Sequence, residues 1–190
     1  MTGRNEMRRL KIQVQSSIDG YMGGPDGGLE WAVTPWSPDM IEYADGVQES
    51  VDCILLGRRL AEGFIPAWAA SPEAEDPKSV DFMNHTRRVV FSNTLGTSPW
   101  ENAEVRSGKL DEVVRELKST SGGDIIAYGG QQLVSGLIRH RLVDELHLMV
   151  SPVAIGTGLP IFGSAPHSPF ELVDQRKFDC GISLQHYRCT

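Results

Sequence analysis

The stretch that decides the fold runs from Asp124 to Phe162 and reads DIIAYGGQQLVSGLIRHRLVDELHLMVSPVAIGTGLPIF. Ile125 to Tyr128 is a short apolar run suited to a buried strand, and Gly129-Gly130 interrupts it. Leu133, Val134, Leu137 and Ile138 then recur with the helical period, so the next segment is a helix with one apolar side. A long apolar segment, 144–154, follows as a strand and is closed by Gly156-Thr157-Gly158. A diglycine between strand and helix lets backbone approach an anion at the helix N-terminus, where free N–H groups and the helix dipole favour phosphate. A tight turn that needs glycine only for its own geometry is the alternative. The first reading predicts a nucleotide-type cofactor site.

The rest of the chain repeats the pattern on both sides. Leu10, Ile12 and Val14 alternate with Lys11, Gln13 and Gln15, which predicts a strand with one buried face. Gly20 to Gly28 holds five glycines and a proline, too many for regular structure, and reads as a mobile loop that closes over a ligand. Ser37-Pro38 supplies an N-cap and a first-turn proline for a helix to about Glu49. Val51 to Leu56 is a strand buried on both faces, ending at Gly57. A helix to about Phe64, a loop over 66–78, a short helix near 79–85 and a strand from Arg88 to Phe91 come next. Leu110, Val113, Val114 and Leu117 mark a helix over 109–119. Strands over 170–178 and 182–188, joined at Cys180-Gly181, form a closing hairpin. The fold class is α/β: a largely parallel sheet with an antiparallel C-terminal hairpin. Residues 1–7 read as a disordered lead and 8–190 as one domain.

Composition narrows the function. A net charge of −7 argues against a general nucleic-acid binder, whose phosphate contacts need a basic face. The basic pairs Arg8-Arg9, Arg58-Arg59 and Arg87-Arg88 are local exceptions. No apolar run approaches the roughly 18 residues that span a bilayer, so no membrane contact is expected. Cys53, Cys180 and Cys189 match no zinc pattern, and their odd number favours a reducing, cytoplasmic setting. No histidine pair has a helical metal-binding spacing, so no metal site is expected, and His147, between Leu146 and Leu148, reads as a structural residue.

Four loops at strand ends gather glycine and polar groups, the place where open α/β sheets bind ligands. They are Ser16-Ser17-Ile18-Asp19-Gly20-Tyr21, Leu56-Gly57-Arg58-Arg59, Phe91-Ser92-Asn93-Thr94-Leu95, and Gly129-Gly130 with Gly156-Thr157-Gly158 one strand later. An arginine directly after Gly57 can meet phosphate through charge-assisted hydrogen bonds.

These pieces resemble, in order, the dihydrofolate reductase-like superfamily. The nearest likeness is to the C-terminal reductase domain of bifunctional riboflavin-biosynthesis deaminase-reductases. The resemblance rests on Ser17-Ile18-Asp19-Gly20-Tyr21, Leu56-Gly57-Arg58-Arg59, Ser92-Asn93-Thr94-Leu95, Gly129-Gly130-Gln131-Gln132-Leu133, and Leu142 to Leu146 through Pro152 to Gly158 and Phe162. It implies a three-layer fold, a central mixed sheet with helices on both faces, and an NADPH-dependent reductase acting on a small-molecule substrate. It further implies that Gly57, Arg58 and Arg59 meet cofactor phosphate, that Ser92 and Thr94 lie by the 2′-phosphate, and that Gly129, Gly130, Gln131 and Leu133 form a second phosphate turn. Asp19 becomes the candidate catalytic group, holding or protonating substrate, although an Asp-Gly turn is its structural alternative. Ser17, Gly20, Trp31, Gly156 and Gly158 become the candidate substrate residues, with Trp36 and Trp68 as further rings near the cleft. Departures are Leu60 where the family commonly has threonine, and Gln13 where riboflavin-pathway reductases carry lysine. Those departures favour an alternative, a non-catalytic NADPH-binding module or redox sensor. A homodimer through the Leu146, Leu148 and Val150 face of one strand is also expected.

Overall fold

The computed structural model describes residues 7–70, 76–163 and 166–190; the expectation for residues 1–6 and part of the 66–78 loop lies outside them. Strands β1 (Leu10–Ser16), β2 (Val51–Gly57), β3 (Arg87–Phe91), β4 (Ala103–Arg106), β5 (Asp124–Ala127) and β6 (Glu145–Val150) pair in parallel in the order β4-β3-β2-β5-β1-β6. Beyond β6 the hairpin β7 (Phe170–Lys177) and β8 (Ser183–Cys189) continues the same sheet antiparallel, with β8 inside and β7 at the edge. Parallel neighbours need crossover connections, which the helices supply. Helices α4 (Leu110–Ser119) and α5 (Gln131–Arg139) cover one face with a core of Val114, Leu117, Val134 and Leu137 on Leu10, Ile12, Ile125 and Leu146. Helices α1 (Pro38–Gln48), α2 (Arg58–Ala70) and α3 (Pro77–His85) cover the other, through Val47, Ile65 and Met83 on Ile54, Leu56 and Ile126. The three layers and the mostly parallel sheet are those the sequence predicts.

Several local readings change. β1 is buried on both faces, with Lys11 5% and Gln13 3% exposed, because α1 lies over the polar side as well. Lys11 tolerates this because its ammonium donates to the Val47 carbonyl at 3.0 Å and Ser50 Oγ at 2.8 Å and lies 3.1 Å from Asp124. α2 does not stop at Phe64 but continues through Pro66 to Ala70. The proline forfeits one backbone bond, yet Ile65 is buried and Phe64 stacks on Tyr128 at 5.8 Å and packs against Trp68. Apolar packing on the sheet outweighs the local signal to stop. α3 starts two residues earlier than the pattern suggests, where Asp76 caps it by accepting from the Ser79 N–H at 2.9 Å. β4 went unread because Ala-Glu-Val-Arg alternates apolar and charged residues over only four positions, all of them half-buried. The apolar face of β6 is intramolecular: Leu146 and Leu148 lie in the core beneath α4 and α5, so that face is not open to a second copy.

Candidate active site

Each parallel strand points its C-terminal end toward the same edge of the sheet. In register, Gly57 at the end of β2 is paired with Phe91 of β3, Leu55 with Ala127 of β5, and Ser16 of β1 with Val150 of β6. That single alignment brings Arg58, Ser92, Gly129-Gly130 and Ser17, which the sequence singles out, to one edge, together with Ser151, which it does not.

In the middle of this edge two helices begin side by side. β2 passes into α2 with no intervening residue, and α5 starts at Gly130, which has φ +81° and no side chain to cap the helix. Neither helix has an acidic residue in its first turn. A Cβ on Gly130 would stand 4.0 Å from the Gly57 Cα and 3.9 Å from the Leu133 Cβ, so the two turns are in near contact. Two uncompensated positive dipole ends therefore face one spot, with Arg58 beside it and Arg59 exposed on the next position. The Arg58 side chain is 39% exposed and, among the described residues, pairs with Glu62 alone, at 3.6 Å. Leu60 packs alkyl carbon against Gly129 and Gly130. This cradle suits the diphosphate of a dinucleotide by charge and by its freedom from side chains.

One strand over, Ser92 is 5% exposed and its Oγ accepts the N–H groups of Thr94 at 3.2 Å and Leu95 at 3.0 Å. The hydroxyl thus shapes the 92–95 turn, and Thr94 Oγ1 lies 3.4 Å from it. Both stand lateral to Arg58, where the adenosine end of a nucleotide lying across the edge would fall.

On the other side, the two glycine loops are zipped together. Met22 N–H donates to the Leu159 carbonyl at 2.9 Å, Leu159 N–H to the Gly23 carbonyl at 2.9 Å, and Ile161 N–H to the Gly20 carbonyl at 3.1 Å. Tyr21 and Pro160 form an isolated bridge. The 20–28 segment is therefore not the free flap that its glycine content suggests, at least through Gly23. Ser17 is buried and builds the turn, its Oγ accepting the Tyr21 N–H at 3.0 Å. Asp19 is exposed, and its carboxylate accepts the N–H groups of Gly156 at 2.7 Å and Ile155 at 3.2 Å. The Ser17 hydroxyl and then these two backbone groups hold its pKa below the ordinary carboxylate value, so Asp19 is an anion that latches the second glycine loop. Gly156, at φ +74°, and Gly158 sit in that latched loop.

Of the three candidate tryptophans, Trp36 and Trp68 pack against the cores. The indole N–H of Trp31 is buried without a hydrogen-bond partner, as are Ser16 Oγ and Gln13 Oε1. Gln15, by contrast, is partnered: its Oε1 accepts from Ser151 Oγ at 3.3 Å and its Nε2 donates to the Val33 carbonyl at 3.4 Å. Gln15 and Ser151 were not singled out in the sequence. Their signal is a polar residue at the C-terminal end of a strand that needs no solvent-facing side.

Among the described residues, no helix is long and apolar enough to cross a membrane, and one group of potential metal ligands, Glu145, His147 and His186, lies away from this edge.

The chain is 29% identical over 188 residues to the uncharacterized Bacillus subtilis protein YyaP, covering 96% of this chain and 95% of that one. Its fold is similar to that of the diaminohydroxyphosphoribosylaminopyrimidine deaminase/5-amino-6-(5-phosphoribosylamino)uracil reductase of Thermotoga maritima, with TM-score 0.69 and 16% identity over 97% of this chain and 57% of that chain. A pyrimidine reductase-like protein of Corynebacterium diphtheriae aligns with TM-score 0.64 and 15% identity over 98% and 93% of the two chains. The RibD C-terminal domain profile matches residues 8–184, nearly the full length, and the protein belongs to that reductase-like family.

Proposed function

We propose that this protein is an NADPH-dependent reductase that delivers a hydride to the carbon of a C=N or C=O bond in a small planar substrate. The observation that carries the reading is the meeting of two uncapped helix N-termini at Gly57 and Gly130, with Arg58 beside them. Bound NADPH supplies the hydride. The residues of this chain supply the rest. Arg58 and the first turns of α2 and α5 hold the diphosphate, and Ser92 and Thr94 present hydroxyls toward the 2′-phosphate that separates NADPH from NADH. The zipped loops 17–23 and 155–161 wall the reacting end, with the Gln15–Ser151 pair at the strand ends offered to substrate polar atoms. Asp19, held as an anion, positions the loop, and the proton that completes the reduction comes from solvent.

Calorimetric titration with NADPH and NADH tests the cofactor half, and loss of NADPH absorbance across pterins, pyrimidine ribosylamines, quinones and imines tests the chemistry. Tight NADPH and weak NADH binding with turnover of one panel member is the expected result. Binding of neither nucleotide would end this reading. A second reading, a non-catalytic NADPH-binding module or redox sensor, has two observations in its favour: Leu60 is apolar at the cradle, and the Asp19 carboxylate is already engaged by backbone. Tight NADPH binding without oxidation across the panel would favour it.

A further inference from the structure

Away from the strand ends that form the cradle, β6 and β8 bring three side chains together. Glu145 and His147 are two residues apart on β6 and so share a face, and His186 of β8 is directly opposite His147 in register. The imidazoles stack with centroids 4.2 Å apart and planes 14° from parallel, so one ring must turn on its side chain before both Nε2 lone pairs can meet one ion. Glu145 Oε2 lies 3.4 Å from His147 Nε2 and 3.3 Å from His186 Nε2. Both ring nitrogens are buried, and neither has a hydrogen-bond partner.

The two separations from Glu145 bear on two explanations. An ionised N–H···O pair closes to about 2.7–2.9 Å, roughly half an ångström less than observed. Bonds of about 2.0–2.1 Å from a tetrahedral zinc to nitrogen or oxygen instead set neighbouring donor atoms about 3.3–3.4 Å apart. The geometry points to a zinc-class divalent cation site made by Glu145 Oε2, His147 Nε2 and His186 Nε2, with water in the fourth position. Two imidazoles and one carboxylate are a donor set suited to first-row transition metals and not to magnesium.

The surrounding groups fit. Tyr43 Oη is 2.6 Å from His147 Nδ1, so a ring bound through Nε2 donates its remaining N–H to the phenol oxygen, as ligating histidines ordinarily do. Arg9 donates to Glu145 Oε1 at 2.7 Å, which orients the carboxylate and leaves Oε2 free. His147 is 3% exposed at its side chain, but Glu145 and His186 keep 15% and 17%, which gives an ion a way in. β6 begins at Glu145, so the site is at the end of the strand remote from Ser151, with His147 about 13 Å short of that serine along the strand. The ion would clip β8 to β6, where the sheet changes from parallel to antiparallel, a structural task separate from reduction.

The test is chelator-stripped full-length protein titrated with Zn²⁺, and in parallel with Mg²⁺, by calorimetry and thermal unfolding. One equivalent of Zn²⁺ should bind and raise the Tm, while Mg²⁺ does neither. His186→Gln and Glu145→Gln should each weaken Zn²⁺ binding at least tenfold while keeping the far-ultraviolet dichroism of the wild type, and Tyr43→Phe should weaken it roughly tenfold. Full Zn²⁺ affinity in both ligand variants would place the ion elsewhere on the chain. Absence of stoichiometric Zn²⁺ binding by the wild type would overturn the site and leave the space to water.

Discussion

The carbonyl oxygen of Gly23 lies 2.3 Å from the point where a Cβ on Gly158 would stand, so the two glycine loops touch backbone to backbone. No side chain fits there without separating them. Gly158→Ala should break the pairing of Met22 with Leu159 and misplace the wall of the reacting end. The expected cost is roughly ten- to a hundredfold in kcat/KM, with faster proteolysis across 20–28. Cleavage at the wild-type rate would show that the contact is not what orders the loop.

Asp19 gives a prediction about pH. Its pKa is held below the ordinary value by Ser17, Gly156 and Ile155, so it does not change charge in the neutral range. Asp19→Asn should lower turnover and leave NADPH affinity nearly unchanged. Between pH 5 and 8 the rate profiles of the variant and the wild type should differ by a constant factor. A rate limb present in the wild type and missing in the variant would restore Asp19 as a proton donor.

Arg58 is a lightly committed group of the cradle, tied among the described residues to Glu62 alone, at 3.6 Å. Charge-assisted hydrogen bonds contribute about 1.5–3 kcal/mol, so Arg58→Ala should weaken NADPH roughly ten- to a hundredfold. Because the side chain is partly exposed and its ion pair is long, the stability change should stay within about 0.5 kcal/mol. Unchanged affinity by titration would move the phosphate site elsewhere.

Much of this edge was legible before any coordinates. Gly57, Gly129 and Gly130 announced themselves because a residue without a side chain, placed between strand and helix, has few other uses. Periodicity identified α4 and α5, which present one apolar face to one sheet. What sequence did not carry was tertiary. Pro66 reads as a helix end until Phe64 and Trp68 are seen packed against the sheet side of α2. The 20–28 glycines read as freedom because their partners, Leu159 and Ile161, are more than a hundred residues away. Lys11 reads as a solvent-facing residue, since nothing local reveals the Asp124 and Ser50 that receive it. The Glu145, His147 and His186 group escaped because its third member arrives by cross-strand register.

Asp124 is the hub of a buried polar network, accepting from Ser50 Oγ at 2.7 Å and Arg9 Nη2 at 2.8 Å with the Lys11 ammonium at 3.1 Å. Burial alone would raise its pKa, but the bonds from Ser50, Arg9 and Lys11 outweigh it and hold the group below its ordinary value. Asp124→Ala leaves the Lys11 charge buried and unpaired and should cost about 3–5 kcal/mol, read by denaturant unfolding. The native pKa lies below the unfolded value of about 3.9, so the carboxylate's stabilisation is whole above about pH 5 and drains as pH falls through that value. The gap between wild type and variant should therefore narrow from pH 5 toward pH 3. A gap that is constant over this range would mean that packing, not charge, sets the loss.

Strand β5 is made after β2, β3 and β4, yet it takes the place between β1 and β2. Until it arrives those two strands have no shared partner, and the closure joins segments about 115 residues apart, a slow kind of contact to make. The anion cradle needs Gly57 from β2, beside that slot, and Gly130 from the end of β5, the strand that fills it. A sheet without β5 does not contain it, so a chain that binds a nucleotide there has already closed its centre, and a ligand added during refolding reports that closure instead of the first collapse.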